Sequence, residues 1–174
     1  GEVSRRQEAT RIEGLVNALT NAEPAQIPEI VKKLDANPKV AASYLEPLLT
    51  NKAATPAEQR SRLHARLAVV SRDNSLVGPL VEELLTGKVS YLMSIRELLR
   101  PLSTKLTDSL QSLLHDEKTD PQRRFRAALA LADYVSSSDE SIWTESNRQF
   151  IAQQLVESNA EFQPIPVSYT HLTL

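Results

Sequence analysis

The sequence predicts an all-α fold in which helical hairpins stack into an α-solenoid. Apolar residues recur at three- and four-residue steps almost throughout the 174 residues, which is the period of an amphipathic helix. No segment alternates convincingly between apolar and polar residues, as a half-buried strand would. Part of the apolar pattern also returns after 65 residues, and internal repeats are typical of stacked helical arrays.

Nine helices account for the apolar periodicity, and several of them have recognisable ends. Thr55, Pro56 and Glu58 form a capping-box pattern at the start of the fourth helix. Gly87 is expected to stop the fifth helix, and the sixth is expected to end before Pro101. The predicted helices span about 5–20, 25–36, 39–50, 56–71, 76–86, 89–100 and 104–115, one that starts at Asp120-Pro121, and about 140–158.

The internal repeat is the strongest feature of the sequence. A shift of 65 residues lays Thr55-Pro56 over Asp120-Pro121, and a shift of 62 aligns Arg62-Leu63 with Arg124-Phe125. A four-helix unit, made of two hairpins of roughly 30–35 residues, therefore occurs twice. An ordinary bundle whose Leu-rich helices match by coincidence is the rival interpretation. The apolar pairs that coincide at a shift of 65 are Ile27/Leu92, Ile30/Ile95, Leu34/Leu99, Leu45/Leu110, Leu48/Leu113 and Leu49/Leu114.

Composition and charge narrow the classes of function. Lys and Arg number 20 against 22 Asp and Glu, which disfavours a duplex-binding protein because phosphate contacts need a basic excess. No cysteine occurs, so thiolate metal sites and Cys nucleophiles are excluded. No apolar run approaches the length of a membrane span, and no signal peptide is visible in a sequence that opens GEVSRR without an initiator Met. These features do not fix the cellular compartment, although the cytoplasm is favoured.

The predicted organisation has three parts. A leading helix occupies 1–21, a repeat array 22–163, and a disordered tail 164–174. The last eight residues, Val167 to Leu174, read VSYTHLTL, which can be back-translated into the adaptor of transposase-based sequencing libraries. We expect this segment to be an assembly scar outside the fold. A natural C-terminal tail is the alternative.

Three segments carry a family resemblance. DPQRRFRAALALADY at 120–134 resembles the first helix of a HEAT repeat, and RSRLHARLAVV at 60–70 and SIRELLRPLSTKL at 94–106 extend the match. Together they are similar to the helical region of bacterial multidomain signalling proteins, where it lies between a serine/threonine kinase domain and a formylglycine-generating-enzyme-like domain. The resemblance implies a HEAT-like solenoid. The sequence has no Gly-rich loop, HRD or DFG motif, so any kinase activity would reside in other parts of a larger protein.

Candidate chemical residues are few. His64 and His115 lie on predicted helices without an HxxxH or HExxH spacing, so neither is expected to bind metal or catalyse. Trp143 is the only Trp; a packed anchor is expected, and a hot spot for a partner is the alternative. A basic cluster recurs in both repeats, which favours a structural role over a nucleic-acid stripe. It consists of Arg60, Arg62, Arg66, Arg123, Arg124 and Arg126.

The sequence therefore predicts a non-catalytic scaffold or protein-binding segment without cofactor. Its partner would be a protein, including neighbouring domains of the same chain, and neither nucleic acid nor membrane. A HEAT-like enzyme of the DNA glycosylase or lyase type, acting through its concave face, is the alternative. In a solenoid the second helix of each hairpin lines the concave side. The polar residues there that we expect to contact a partner are Glu82, Glu83, Lys105, Asp108, Gln111, Ser112, Arg148, Gln149 and Gln153.

Overall fold

The computed structural model describes residues 1–158, in which nine α-helices and no strand occur. The predicted all-α class is confirmed. No helix in this part of the chain is long and apolar enough to cross a membrane. The predicted tail over 164–174 lies outside the described residues. The helices are α1 (Glu2–Thr20), α2 (Ile27–Leu34), α3 (Pro38–Thr50), α4 (Pro56–Val69), α5 (Val77–Thr86), α6 (Leu92–Leu99), α7 (Ser103–His115), α8 (Pro121–Tyr134) and α9 (Glu145–Glu157).

The two Pro-marked helix starts lie where the sequence predicts them. Thr55 Oγ accepts a hydrogen bond from the Glu58 backbone N–H at 3.1 Å and so caps α4. The Glu58 carboxylate accepts from the Ala54 N–H at 3.0 Å, one residue before the cap, and this bond holds the pKa of Glu58 below its usual value. The Asp120 carboxylate accepts from two N–H groups in the first turn of α8, at 3.1 and 3.2 Å. Both caps satisfy donors that have no intrahelical partner.

Short 3-10 turns are a feature that the apolar periodicity did not indicate. Pro24–Gln26, Asn74–Leu76 and Val89–Tyr91 lead into α2, α5 and α6. A fourth turn, Arg100–Leu102, joins α6 to α7 and contains the Pro101 that follows the end of α6. A single tight turn has too few residues to show a distinct period in a sequence.

The ninth helix begins later than the sequence predicts, at Glu145 instead of about residue 140. The Asp139 carboxylate accepts a hydrogen bond from the Ser141 N–H at 3.1 Å, which closes an Asx turn. Thr144 Oγ then accepts from the Asn147 N–H at 3.2 Å. These two side chains hold the segment before Glu145 in a non-helical conformation and place the helix start after Thr144.

The first compact unit comprises Gly1–Leu80 together with Met93–Leu98 of α6. In it α1 packs against α2, α3 and α4, and α4 also packs against α2 and α3. The helix that the sequence separates as a leading segment thus contributes to the interior of this unit. Core side chains of this unit include Ile12, Val16, Leu19, Ile27, Val31, Leu34, Ala41, Leu45, Ala65, Leu67 and Ile95.

The second compact unit comprises, among the described residues, Val81–Leu92 and residues 99–158. Its central helix is α8, which packs against both α7 and α9. Every residue of α8 from Arg124 to Leu131 is buried. The largest buried side chains of the unit are Trp143 and Phe125.

The bounds of several elements recur with the predicted offset. Shifted by 65 residues, the turn before α2 and helices α2, α3 and α4 coincide at both ends with the turn before α6 and with α6, α7 and α8. The recurrence ends there, because α5 and α9 start 68 residues apart. Leu48 and Leu113, also an offset pair, are both half-buried. The pairs in which both members are buried are Leu19/Leu84, Ile27/Leu92, Val31/Arg96, Leu34/Leu99, Ala41/Leu106, Leu45/Leu110, His64/Leu129 and Ala65/Ala130.

Candidate functional site

The basic cluster does not form one exposed stripe. Arg124 and Arg126 are 8% and 4% exposed, although arginine is rarely buried unless its guanidinium is paired. Arg62 is half-buried, and Arg60 is exposed. Arg123 instead forms an ion pair with Glu82, whose oxygens lie 2.7 and 3.2 Å from the guanidinium nitrogens. The cluster is therefore divided between buried and surface positions.

Two polar side chains of α4 contact the C-terminal ends of neighbouring helices. The Arg62 guanidinium donates to the carbonyl oxygen of Asn51, the residue that follows α3. His64 is fully buried, and its Nδ1 lies 2.7 Å from the carbonyl oxygen of Leu19, in the last turn of α1. Because that oxygen can only accept, Nδ1 carries the hydrogen. Burial lowers the pKa of His64, the bond to Leu19 opposes this, and the charge of Arg60 lowers it further.

Two arginines of α8 make the corresponding contacts in the second unit. Arg124 Nε donates to the Leu114 carbonyl oxygen near the end of α7, at 3.0 Å, and its guanidinium carbon lies 3.9 Å from the ring centre of Phe150 in α9. Arg126 Nη1 donates to the carbonyl oxygens of Gly87, at 2.5 Å, and Leu84, at 3.4 Å. These carbonyls lie at the end of α5 and just beyond it.

We call these two pairs the helix-end braces: Arg62 with His64 in α4, and Arg124 with Arg126 in α8. The last carbonyls of a helix have no intrahelical donor and carry a partial negative charge. Each brace supplies donors to the ends of two helices, α3 and α1 in the first unit and α7 and α5 in the second. The braces thus fix the relative positions of helices within each unit.

Gly87 lies immediately after α5, as its predicted role as a helix stop requires. Its φ is not in the left-handed region, so conformational freedom is not the reason for a glycine here. A Cβ at this position would lie 2.6 Å from the backbone oxygen of Glu83, closer than a carbon atom can approach. The missing side chain permits the tight turn that presents the Gly87 carbonyl to Arg126.

The predicted partner-contact residues lie on α5, α7 and α9 of the second unit. Glu83, Gln111 and Arg148 are half-buried. The Glu82 carboxylate accepts hydrogen bonds from Arg123, and these bonds lower the pKa of Glu82. Gln111 donates to the Ser141 carbonyl oxygen at 3.3 Å. The predicted residues with exposed side chains are Glu82, Lys105, Asp108, Ser112, Gln149 and Gln153.

The exposed members on α7 lie close together. Lys105, Asp108 and Ser112 are spaced by three and four residues, which places them on one face of the helix. On α9, Gln149 and Gln153 likewise share a face, and their amides donate within the helix to Glu145 and Glu157, both at 3.0 Å. Both faces present polar groups at the surface of the second unit.

Trp143 is a packed anchor, and the alternative that it is a hot spot for a partner is wrong. Its side chain is 1% exposed, and its indole N–H donates to the Ser136 carbonyl oxygen at 2.8 Å. His115 is exposed in the last turn of α7. Within residues 1–158, no group of three or more His, Asp and Glu side chains could hold a metal ion.

An open cleft between the end of α3 and the start of α4 was not foreseen from the sequence. Two small side chains, Ala57 and Ser61, form its α4 wall together with Glu58, and periodicity alone does not show where two helices diverge. Its volume is about 390 Å³, within the lower range of ligand pockets. Its lining consists of Pro47, Leu48, Asn51, Lys52, Ala53, Ala57, Glu58 and Ser61.

No protein family, curated protein or solved structure matches this chain.

Proposed function

We propose that this chain is a HEAT-like α-solenoid that serves as a non-catalytic scaffold or protein-binding segment of a larger signalling protein. The observation that carries the proposal is the 65-residue recurrence of a turn and three helices with the same lengths. An internal repeat of helical hairpins is typical of stacked arrays, whose extended surfaces bind proteins.

The use of the polar residues supports a structural role. His64, Arg124 and Arg126 are polar side chains that are rarely buried, and all three donate to backbone carbonyls within their units. A glycosylase-like enzyme would need such arginines along an exposed groove to contact phosphates. No contact within the described residues favours that second candidate.

The partner would be a protein, either a separate one or a neighbouring domain of the same longer chain. The exposed face of α7 formed by Lys105, Asp108 and Ser112 is the proposed contact surface. It carries both signs of charge together with a hydroxyl group. Because exposed charges attract at short range and are screened by salt, such a surface suits a polar, reversible contact.

A photocrosslinking experiment tests the contact surface. The chain has no cysteine, so a single Asp108→Cys substitution can be labelled selectively with a photoactivatable maleimide. Glu13→Cys is the matched control, since Glu13 is also an exposed acidic residue on a helix, α1. Each labelled chain is mixed with an extract of the source cells, with and without excess unlabelled wild-type chain.

We expect Asp108→Cys to give one crosslinked protein that the unlabelled chain displaces, and Glu13→Cys to give none. The same product should disappear when Lys105 and Ser112 are both changed to Glu in the labelled Asp108→Cys chain. Identical products from both labelled positions, or no displaceable product from Asp108→Cys, would contradict a specific contact at this face.

A further inference from the structure

We draw no further inference here: the strongest candidate, the open cleft between the end of α3 and the start of α4 that Pro47, Leu48, Ala57 and Ser61 line, carries nothing because no observation of the structure shows what covers it.

Discussion

In each compact unit, two side chains of one helix donate hydrogen bonds to the ends of two other helices, but the side chains differ between the units. In the first unit Arg62 and His64 donate to the ends of α3 and α1. In the second unit two arginines, Arg124 and Arg126, donate to the ends of α7 and α5. One brace therefore contains a titratable imidazole, whereas the other is permanently charged. The comparison shows that both units supply donors to two helix ends, although one donor is an imidazole in the first unit and a guanidinium in the second.

The braces also differ in their place along the helix. Helices α4 and α8 start 65 residues apart, but the brace residues are 62 apart, so the pair lies about one turn nearer to the start of α8. The first two turns of α4 carry Ala57 and Ser61 on the side where the cleft opens. In α8 the second turn already carries Arg124 and Arg126, both buried. The brace residues thus lie beyond the cleft in α4, whereas in α8 they lie within the first two turns of the helix.

The largest expected effects come from truncating the equivalent core residues Leu45 and Leu110. Each is 1% exposed, so Leu45→Ala and Leu110→Ala should each cost about 2–5 kcal/mol of unfolding free energy through lost contacts and a residual cavity. In a repeat array the damage should be partly local. Hydrogen exchange should show loosening mainly in α1 to α4 for Leu45→Ala, and mainly in α7 to α9 for Leu110→Ala.

Leu48→Ala and Leu113→Ala are the matched controls. Both side chains are half-buried, so each has fewer contacts to lose. Each should cost less than its fully buried neighbour. If Leu45→Ala and Leu110→Ala instead remove protection evenly from all helices, the chain is one cooperative bundle, and the proposed solenoid is wrong.

The second brace predicts a difference between one of its arginines, Arg126, and Arg123, a surface arginine on the same helix. Arg126→Met leaves the carbonyls of Gly87 and Leu84 without this donor, so we expect a loss of about 1.5–3 kcal/mol in the free energy of unfolding. Arg123→Met, on the same helix, breaks an exposed ion pair with Glu82 and should cost under about 1 kcal/mol. Urea denaturation of both variants measures the difference. Equal losses would show that the brace contributes no more than a surface pair.

The sequence predicted the helix starts better than the roles of the polar residues. Thr55 and Asp120 are local signals, because a cap acts on N–H groups two or three residues away. The burial of Arg124 and Arg126 depends on carbonyls 10 and 39 residues distant, and no local pattern reveals such a partner. The coincidence of Arg62 with Arg124 at an offset of 62 was the available signal, and the contacts of both guanidinium groups with helix-end carbonyls fit the structural role that it favours.

The proposed contact surface also shows that local sequence patterns do not reveal distant partners. Periodicity correctly placed Lys105, Asp108 and Ser112 at exposed positions. It did not show that Glu82 is paired with Arg123 or that Gln111 donates to the loop before α9. Both contacts join residues 30 or more positions apart in the sequence, so they require the three-dimensional arrangement.

The imidazole in the first brace predicts a pH dependence that the second brace lacks. Because burial lowers the pKa of His64, the unfolded chain binds this proton at a higher pH than the folded chain. The contribution to stability is full above the unfolded pKa of about 6.5 and is lost as pH falls toward the folded pKa. One proton limits the slope to about 1.4 kcal/mol per pH unit.

Urea denaturation between pH 7.5 and 5.5 measures that slope. His64→Asn, whose amide nitrogen can replace Nδ1 as donor to Leu19, should flatten it. His115→Gln is the control, because His115 is exposed, and it should leave the slope unchanged. A slope that persists undiminished in His64→Asn would assign the effect to other groups.

The smallest expected difference concerns the caps of α4 and α8. Thr55 accepts one N–H through a hydroxyl group, whereas Asp120 accepts two through a carboxylate. A negative charge at a helix N-terminus gains further from the helix dipole. Asp120→Ala should therefore cost about 1–2 kcal/mol and Thr55→Ala about 0.5–1 kcal/mol.

Thr55→Ser and Asp120→Asn keep an acceptor and should recover most of each loss. Since salt screens the dipole term but hardly affects a neutral hydrogen bond, the gap between the two Ala variants should narrow as ionic strength rises. A gap that stays constant with salt would assign the advantage of Asp120 to its second hydrogen bond alone.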